Sequence, residues 1–104
     1  MIKNTQGISK IIMKPFGECK CAIGQDWYHI NFEITFIPNG YYPDYMDVSK
    51  FVTNSINGKE LNIEDAVNVI GEYLYTKYNP AKLTVTADVK DVVTHCPVTV
   101  TKEY

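Results

Sequence analysis

The chain has no long apolar run. No stretch of its 104 residues approaches the roughly 20 apolar residues of a membrane-spanning helix, and residues 1–10 hold no apolar core of signal length. A cytoplasmic protein is the expectation. The chain also lacks an excess of charge of either sign: 12 acidic against 10 basic residues leave a formal net charge of -2 and a pI of about 5.6. That balance argues against broad attraction to nucleic acid, while a local basic patch at a subunit interface stays compatible with it. Cysteine is scarce and odd in number at three, and nothing suggests secretion, so thiols are expected rather than a disulfide framework. Repeats, low-complexity segments and linkers are missing too. Residues 1–104 therefore read as a single domain, large enough for a core and small enough to gain from oligomerisation.

What is present is organised around residues 19–38. From Tyr28 to Ile37 the sequence alternates, with Tyr28, Ile30, Phe32, Ile34 and Phe36 on one face and His29, Asn31, Glu33, Thr35 and Ile37 on the other. This is the pattern of a strand with one buried face. Before it come Cys19, Cys21, Gly24 and Asp26, read as a loop that the strand holds in place, a common way of building a site. Upstream, Ile8, Ile11, Ile12 and Met13 suggest a first strand ending at Pro15-Phe16-Gly17. Downstream, Asn39-Gly40 marks a turn. Asp44 is placed to cap a helix carrying Tyr45, Val48, Phe51, Val52 and Ile56, which Asn57-Gly58 stops. A second helix starts at Asn62, with Asp65 three positions on, buries Ile63, Val67, Ile70, Leu74 and Tyr78, and ends at Asn79-Pro80. Alternation then returns over 83–90 and 96–101, which predicts a C-terminal hairpin. The order is two strands, two helices and two strands, an α+β domain whose four-stranded antiparallel sheet carries both helices on one face. Its open end strands invite pairing with further copies, so a ring with sites between subunits is expected.

This order resembles the tunnelling fold of pterin and deazapurine enzymes, and within it the QueF and QueF-like proteins, which act on the nitrile of 7-cyano-7-deazaguanine. Members carry a nucleophilic Cys, an Asp seven positions later, an alternating strand ending in aromatic-Ile-Pro, and a Glu opening the long helix. Cys19 and Asp26 have that separation, with Gly24-Gln25 between them; Phe36-Ile37-Pro38 ends the strand; and Glu64 opens the helix in Ile63-Glu64-Asp65-Ala66-Val67-Asn68. The likeness spans roughly residues 17 to 90. It implies Cys19 and Asp26 as catalytic residues, Glu64 as substrate-binding residue, and a cyclic homo-oligomer, pentamer or decamer.

The residue types suit that chemistry. A nitrile carbon is a modest electrophile, and a thiolate is the strongest ordinary side-chain nucleophile. Attack by Cys19 gives a thioimide, for which Asp26 can move the proton. By the resemblance, Glu64 accepts hydrogen bonds from the N–H groups of the base, as a carboxylate can from two donors at once. Trp27, Tyr41 or Tyr42 can stack on the ring. Two departures separate the chain from the reductase members. Ile63 stands where they have His before the Glu, and residues 44–50, Asp-Tyr-Met-Asp-Val-Ser-Lys, replace the stretch that binds NADPH phosphates with one lysine and two acids. Short QueF-like members lack that stretch and let ammonia convert the thioimide into an amidine on a base already in nucleic acid. The implied reading is thus amidine formation with no cofactor, on the base free or in tRNA or DNA, with NADPH-dependent nitrile reduction as the alternative.

Other readings compete. Cys19 can be a packing residue, Cys21 packing or a secondary thiol, Asp26 a loop cap, Glu64 a first-turn helix acid, and His29 a surface or interface residue. Cys19, Cys21, His95 and Cys96 are ligand types for zinc. In the related GTP cyclohydrolase I enzymes, however, a His follows the first Cys by three residues, and Ala22 stands there; His95 and Cys96, adjacent in a strand, would face opposite ways. No metal site is therefore assigned. A non-catalytic binding or assembly module on the same fold is the remaining alternative.

Overall fold

The computed structural model describes residues 1–24, 26–91 and 95–104, so Gln25 of the motif lies outside the described residues. The strands are β1 (Ile2–Lys3), β2 (Ile11–Met13), β3 (Phe16–Lys20), β4 (Trp27–Ile37), β5 (Tyr41–Tyr42), β6 (Lys82–Val89) and β7 (Val98–Glu103). Helices α1 (Tyr45–Ser55) and α2 (Ile63–Tyr78) lie between β5 and β6. The expected α+β architecture is the one observed, with one refinement of the strand count. β2 and β3 both pair antiparallel with β4 and in one register, Ile11 with Phe36, Met13 with Ile34, Phe16 with Asn31 and Lys20 with Trp27. They form one lane of the sheet interrupted at Pro15, and the lanes run β2/β3, β4, β6, β7.

That interruption corrects the sequence reading of a strand ending at Pro15-Phe16-Gly17 and a loop beginning at Cys19. Proline removes one backbone donor but keeps its carbonyl, and Pro15 O still accepts from Phe32 N at 3.0 Å. The strand resumes, and Cys19 becomes a strand residue. The first residues also form a short pair missed in the sequence, β1 with β5, closed by Asn4 N donating to Gly40 O.

Alternation decides the faces. Tyr28, Ile30, Phe32, Ile34 and Phe36 are buried against the helices, together with Leu83, Val85, Ala87 and Val89 of β6. The β2/β3 lane continues the same pattern through Ile11, Met13, Gly17 and Cys19. Gly17 is where the end of α1 comes closest: a Cβ there would lie 3.1 Å from both Ile56 and Phe32 side chains. α2 packs over β6 and β7, while α1 packs on β3 and α2.

Both helix starts follow the sequence. The Asp44 carboxylate accepts from Met46 N at 2.9 Å, and Asn62 N donates to the Asp65 carboxylate at 3.4 Å. Asn79 ends α2 in the left-handed conformation at φ 46°, just before Pro80. All five residues of the expected α2 stripe are buried. Of the α1 stripe, Val48, Val52 and Ile56 are buried but Tyr45 is exposed, because α1 lies at the margin of the sheet.

The α1–α2 connection sets up the site. Gly58, at φ 74°, turns the chain back along the outer edge of β3. Gly58 N donates to Glu18 O, Lys20 N to Lys59 O and Leu61 N to Lys20 O, at 2.9, 2.9 and 3.0 Å. This parallel pairing covers the β3 edge and delivers the first turn of α2 beside the loop that follows β3. The edges of β2 and β7 have no strand partner among the described residues.

Candidate functional site

Beyond Lys20 the chain closes a tight loop, in which Cys21 N donates to Asp26 O at 2.7 Å before β4 begins. The loop, the start of α2 and the segment entering β7 enclose a pocket of about 530 Å³. Facing it are Cys21, Tyr28, Asn62, Glu64, His95 and Cys96, over an apolar floor that includes Ile63 and Val98. Two thiols, one carboxylate and one imidazole thus share an apolar cleft, the composition expected of a small-molecule site.

Tyr28 ties the site together. It is buried opposite Cys19 in the β3–β4 pair, and its hydroxyl donates to Leu61 O, immediately before the N-cap of α2. Burial, with the neighbouring thiols and Glu64, pushes its ionisation well above the ordinary phenol range. It remains a neutral donor that pins the connection to the sheet.

The three residues implied by the resemblance are not all at this pocket. Glu64 faces it, from the first turn of α2 where the dipole favours a carboxylate. Cys19 lies behind it, 0% exposed, with its thiol donating to Ile56 O at 3.5 Å. Burial pushes the Cys19 thiol up, opposite to the shift that activates a nucleophile. Asp26 is half-buried outside the pocket lining, and its Oδ2 is buried without a hydrogen-bond partner among the described residues. Cys21, two residues beyond Cys19, carries the thiol that does face the pocket, and Gly24 N donates to its sulfur at 3.4 Å. Trp27, Tyr41 and Tyr42, the possible stacking residues, are outside the lining; Trp27 is 55% exposed.

The C-terminal contribution could not be read from sequence. His95 and Cys96 precede β7 instead of lying in it, so the alternation argument that sent them to opposite faces does not apply, and both face the pocket. The zinc reading gains nothing from this, since among the described residues no three such side chains are grouped as a metal would require. Residues 44–50, compared above with a cofactor-binding stretch, cap and form the first half of α1 and do not line the pocket.

The opposite face of the sheet carries a separate polar cluster. His29 sits between Glu18, at 3.3 Å, and Asp91, and its ring stacks on Phe16 with centroids 5.4 Å apart. The hydrogen bond with Asp91 raises the His29 pKa and lowers that of Asp91. His29 is thus a surface residue of the open face, as its place in the alternation implied.

An antiparallel sheet with two helices on one face and this strand order defines the tunnelling fold. Solved structures bear out the assignment. The chain superimposes on an archaeosine synthase QueF-Like in its apo form with a TM-score of 0.84 at 23% identity, covering 94% of this chain and 95% of that one. It is also similar to a dihydroneopterin aldolase-like protein of Vibrio cholerae (TM-score 0.75, 16% identity, 93% and 97% covered). A third similar structure is the Escherichia coli dihydroneopterin aldolase in complex with neopterin (TM-score 0.71, 12% identity, 93% and 99% covered). No protein-family model and no curated protein sequence matches the chain. The likeness is one of fold, and that fold serves different reactions. No helix among the described residues is long and apolar enough to cross a membrane.

Proposed function

We propose that the chain is an enzyme of 7-deazaguanine modification that adds a cysteine thiolate to the nitrile of 7-cyano-7-deazaguanine and lets ammonia convert the adduct into an amidine. The observation that carries this reading is the shared pocket, which presents the Cys21 thiol and the Glu64 carboxylate to one ligand-sized space. The fold likeness to an archaeosine synthase QueF-Like supports it. We assign the nucleophile to Cys21, since it faces the pocket and Cys19 does not.

In the first step the Cys21 sulfur bonds to the nitrile carbon, one C–N π bond opens, and the nitrogen takes a proton to give a neutral thioimide. Ammonia then bonds to the same carbon, the C–S bond breaks, and the displaced thiolate recovers a proton as the amidine forms. Glu64 holds the base through its N–H groups, a carboxylate being able to accept from two at once. The substrate is the base, free or within a nucleic acid. The subunits form a cyclic homo-oligomer, a pentamer or decamer, through the uncovered β2 and β7 edges.

Product analysis tests the reaction. The protein is incubated with 7-cyano-7-deazaguanine, free or in tRNA, together with either an ammonium salt or NADPH, and the base is weighed by mass spectrometry. The expected product has gained one ammonia and forms only with the ammonium salt. A base that has gained four hydrogens with NADPH would establish nitrile reduction instead, and no product under either condition would overturn both.

A further inference from the structure

His95 is the one imidazole facing the pocket among the described residues, and it is neither the attacking group, which is Cys21, nor the grip on the base, which is Glu64. Its Nδ1 lies 2.7 Å from the backbone carbonyl oxygen of Cys96. A carbonyl oxygen can only accept, so Nδ1 carries the hydrogen. In the neutral ring the lone pair is then on Nε2. The backbone thereby fixes the tautomer, as in many catalytic and metal-binding histidines, and leaves one basic nitrogen available to the pocket.

The pocket needs such a group. Thiolate addition to a nitrile moves one proton, off sulfur and onto nitrogen. Asp26 is outside the lining, and Ile63, beside Glu64 in the lining, has no group that can move a proton. Tyr28 has its hydroxyl hydrogen committed to Leu61 O. The other titratable groups facing His95 across the pocket are Cys21 and Cys96, both thiols, and the Glu64 carboxylate, already assigned to the base.

We infer that His95 is the proton shuttle of the site. Nε2 takes the proton from the Cys21 thiol, leaving a thiolate beside an imidazolium held by the Cys96 carbonyl. As the S–C bond forms, the same proton passes from Nε2 to the nitrile nitrogen, and the imidazole returns to its starting tautomer. No proton is gained or lost overall. The second half of this cycle rests on the proposed nitrile reaction, whereas the first half, activation of Cys21, is independent of the substrate.

That independence separates the tests. Iodoacetamide labelling is followed residue by residue by peptide mass spectrometry across pH, for the native protein and for His95→Asn and His95→Ala. The asparagine amide keeps a donor toward the Cys96 carbonyl and removes the Nε2 base. Near pH 7, labelling of Cys21 is expected to slow about tenfold in both variants, and to match the native rate at about pH 10, above the ordinary range of free thiols, where no neighbouring base is needed. Added imidazole is expected to restore the His95→Ala rate, which a merely structural role would not allow. Superimposable pH profiles in all three proteins would overturn the shuttle. The rate of adduct formation with 7-cyano-7-deazaguanine is then compared in the same proteins. An adduct that forms with the native pH profile in His95→Asn would overturn the shuttle and leave the nitrile reading standing. His95-dependent labelling without any adduct would support Cys21 activation and remove the nitrile reading.

Discussion

Replacing Glu64 with glutamine is expected to weaken binding of 7-cyano-7-deazaguanine by roughly 10- to 150-fold while leaving the fold intact. Hydrogen bonds to a charged group contribute about 1.5–3 kcal/mol each, and every 1.4 kcal/mol is about tenfold in affinity. The amide has nearly the same shape but offers a single acceptor, and it turns an N–H toward a base N–H that then has no partner. Glu64 is exposed, and its structural role is limited to a favourable position in the first turn of α2. Loss of that dipole interaction costs about 0.3–1 kcal/mol. Isothermal titration alongside a urea melt separates the two effects. Unchanged affinity with an unchanged melt would remove Glu64 from base recognition and reduce it to a helix-start acid.

The largest effect on stability is expected at Phe36. It is fully buried, paired across the sheet with Ile11 on one side and Leu83 on the other, and meets the Tyr78 ring edge-on with centroids 6.3 Å apart. Three lanes of the design, β2, β4 and β6, together with the end of α2, therefore converge on one ring. Truncation to alanine removes the transfer free energy of that ring and leaves a cavity that the surrounding strands can close only in part. The expected loss is about 3–5 kcal/mol, a large share of the roughly 5–15 kcal/mol of a domain this size. Denaturant unfolding of Phe36→Ala would show a lower midpoint with an unchanged slope. A loss below about 1 kcal/mol would mean that this part of the sheet is not packed as described.

Most of the fold was legible because its elements carry strong periodic signals. The β4 alternation, the five-residue stripe of α2 and the Asp44 and Asn62 helix starts all rest on local patterns that the tertiary structure reinforces. Pro15 misled the reading because a proline on an edge lane costs one hydrogen bond, whereas the sequence shows only the residue that usually ends a strand. As a loop residue, Cys19 has the seven-residue spacing from Asp26 that the resemblance associates with a nucleophile; as a residue of β3, it is turned into the core by strand parity. The inward positions Gly17, Cys19 and Cys21 form a single period-2 series, and that series could have shown that Cys21, at the end of the strand, is where the inner face meets solvent. The place of Glu64 at the opening of α2 was legible. His95 was not, since its approach to the pocket depends on how the chain returns from β6 into β7, which no local pattern encodes.

Intact-protein mass spectrometry after incubation with 7-cyano-7-deazaguanine, without a nitrogen donor, tests the central claim most directly. The native chain is compared with Cys19→Ala, Cys21→Ala and Cys96→Ala. The account predicts an increase of one ligand mass in the native protein, Cys19→Ala and Cys96→Ala, and none in Cys21→Ala. An adduct lost only in Cys19→Ala would return the nucleophile to the buried strand position, and no adduct in the folded, reduced native protein would contradict the thioimide chemistry altogether.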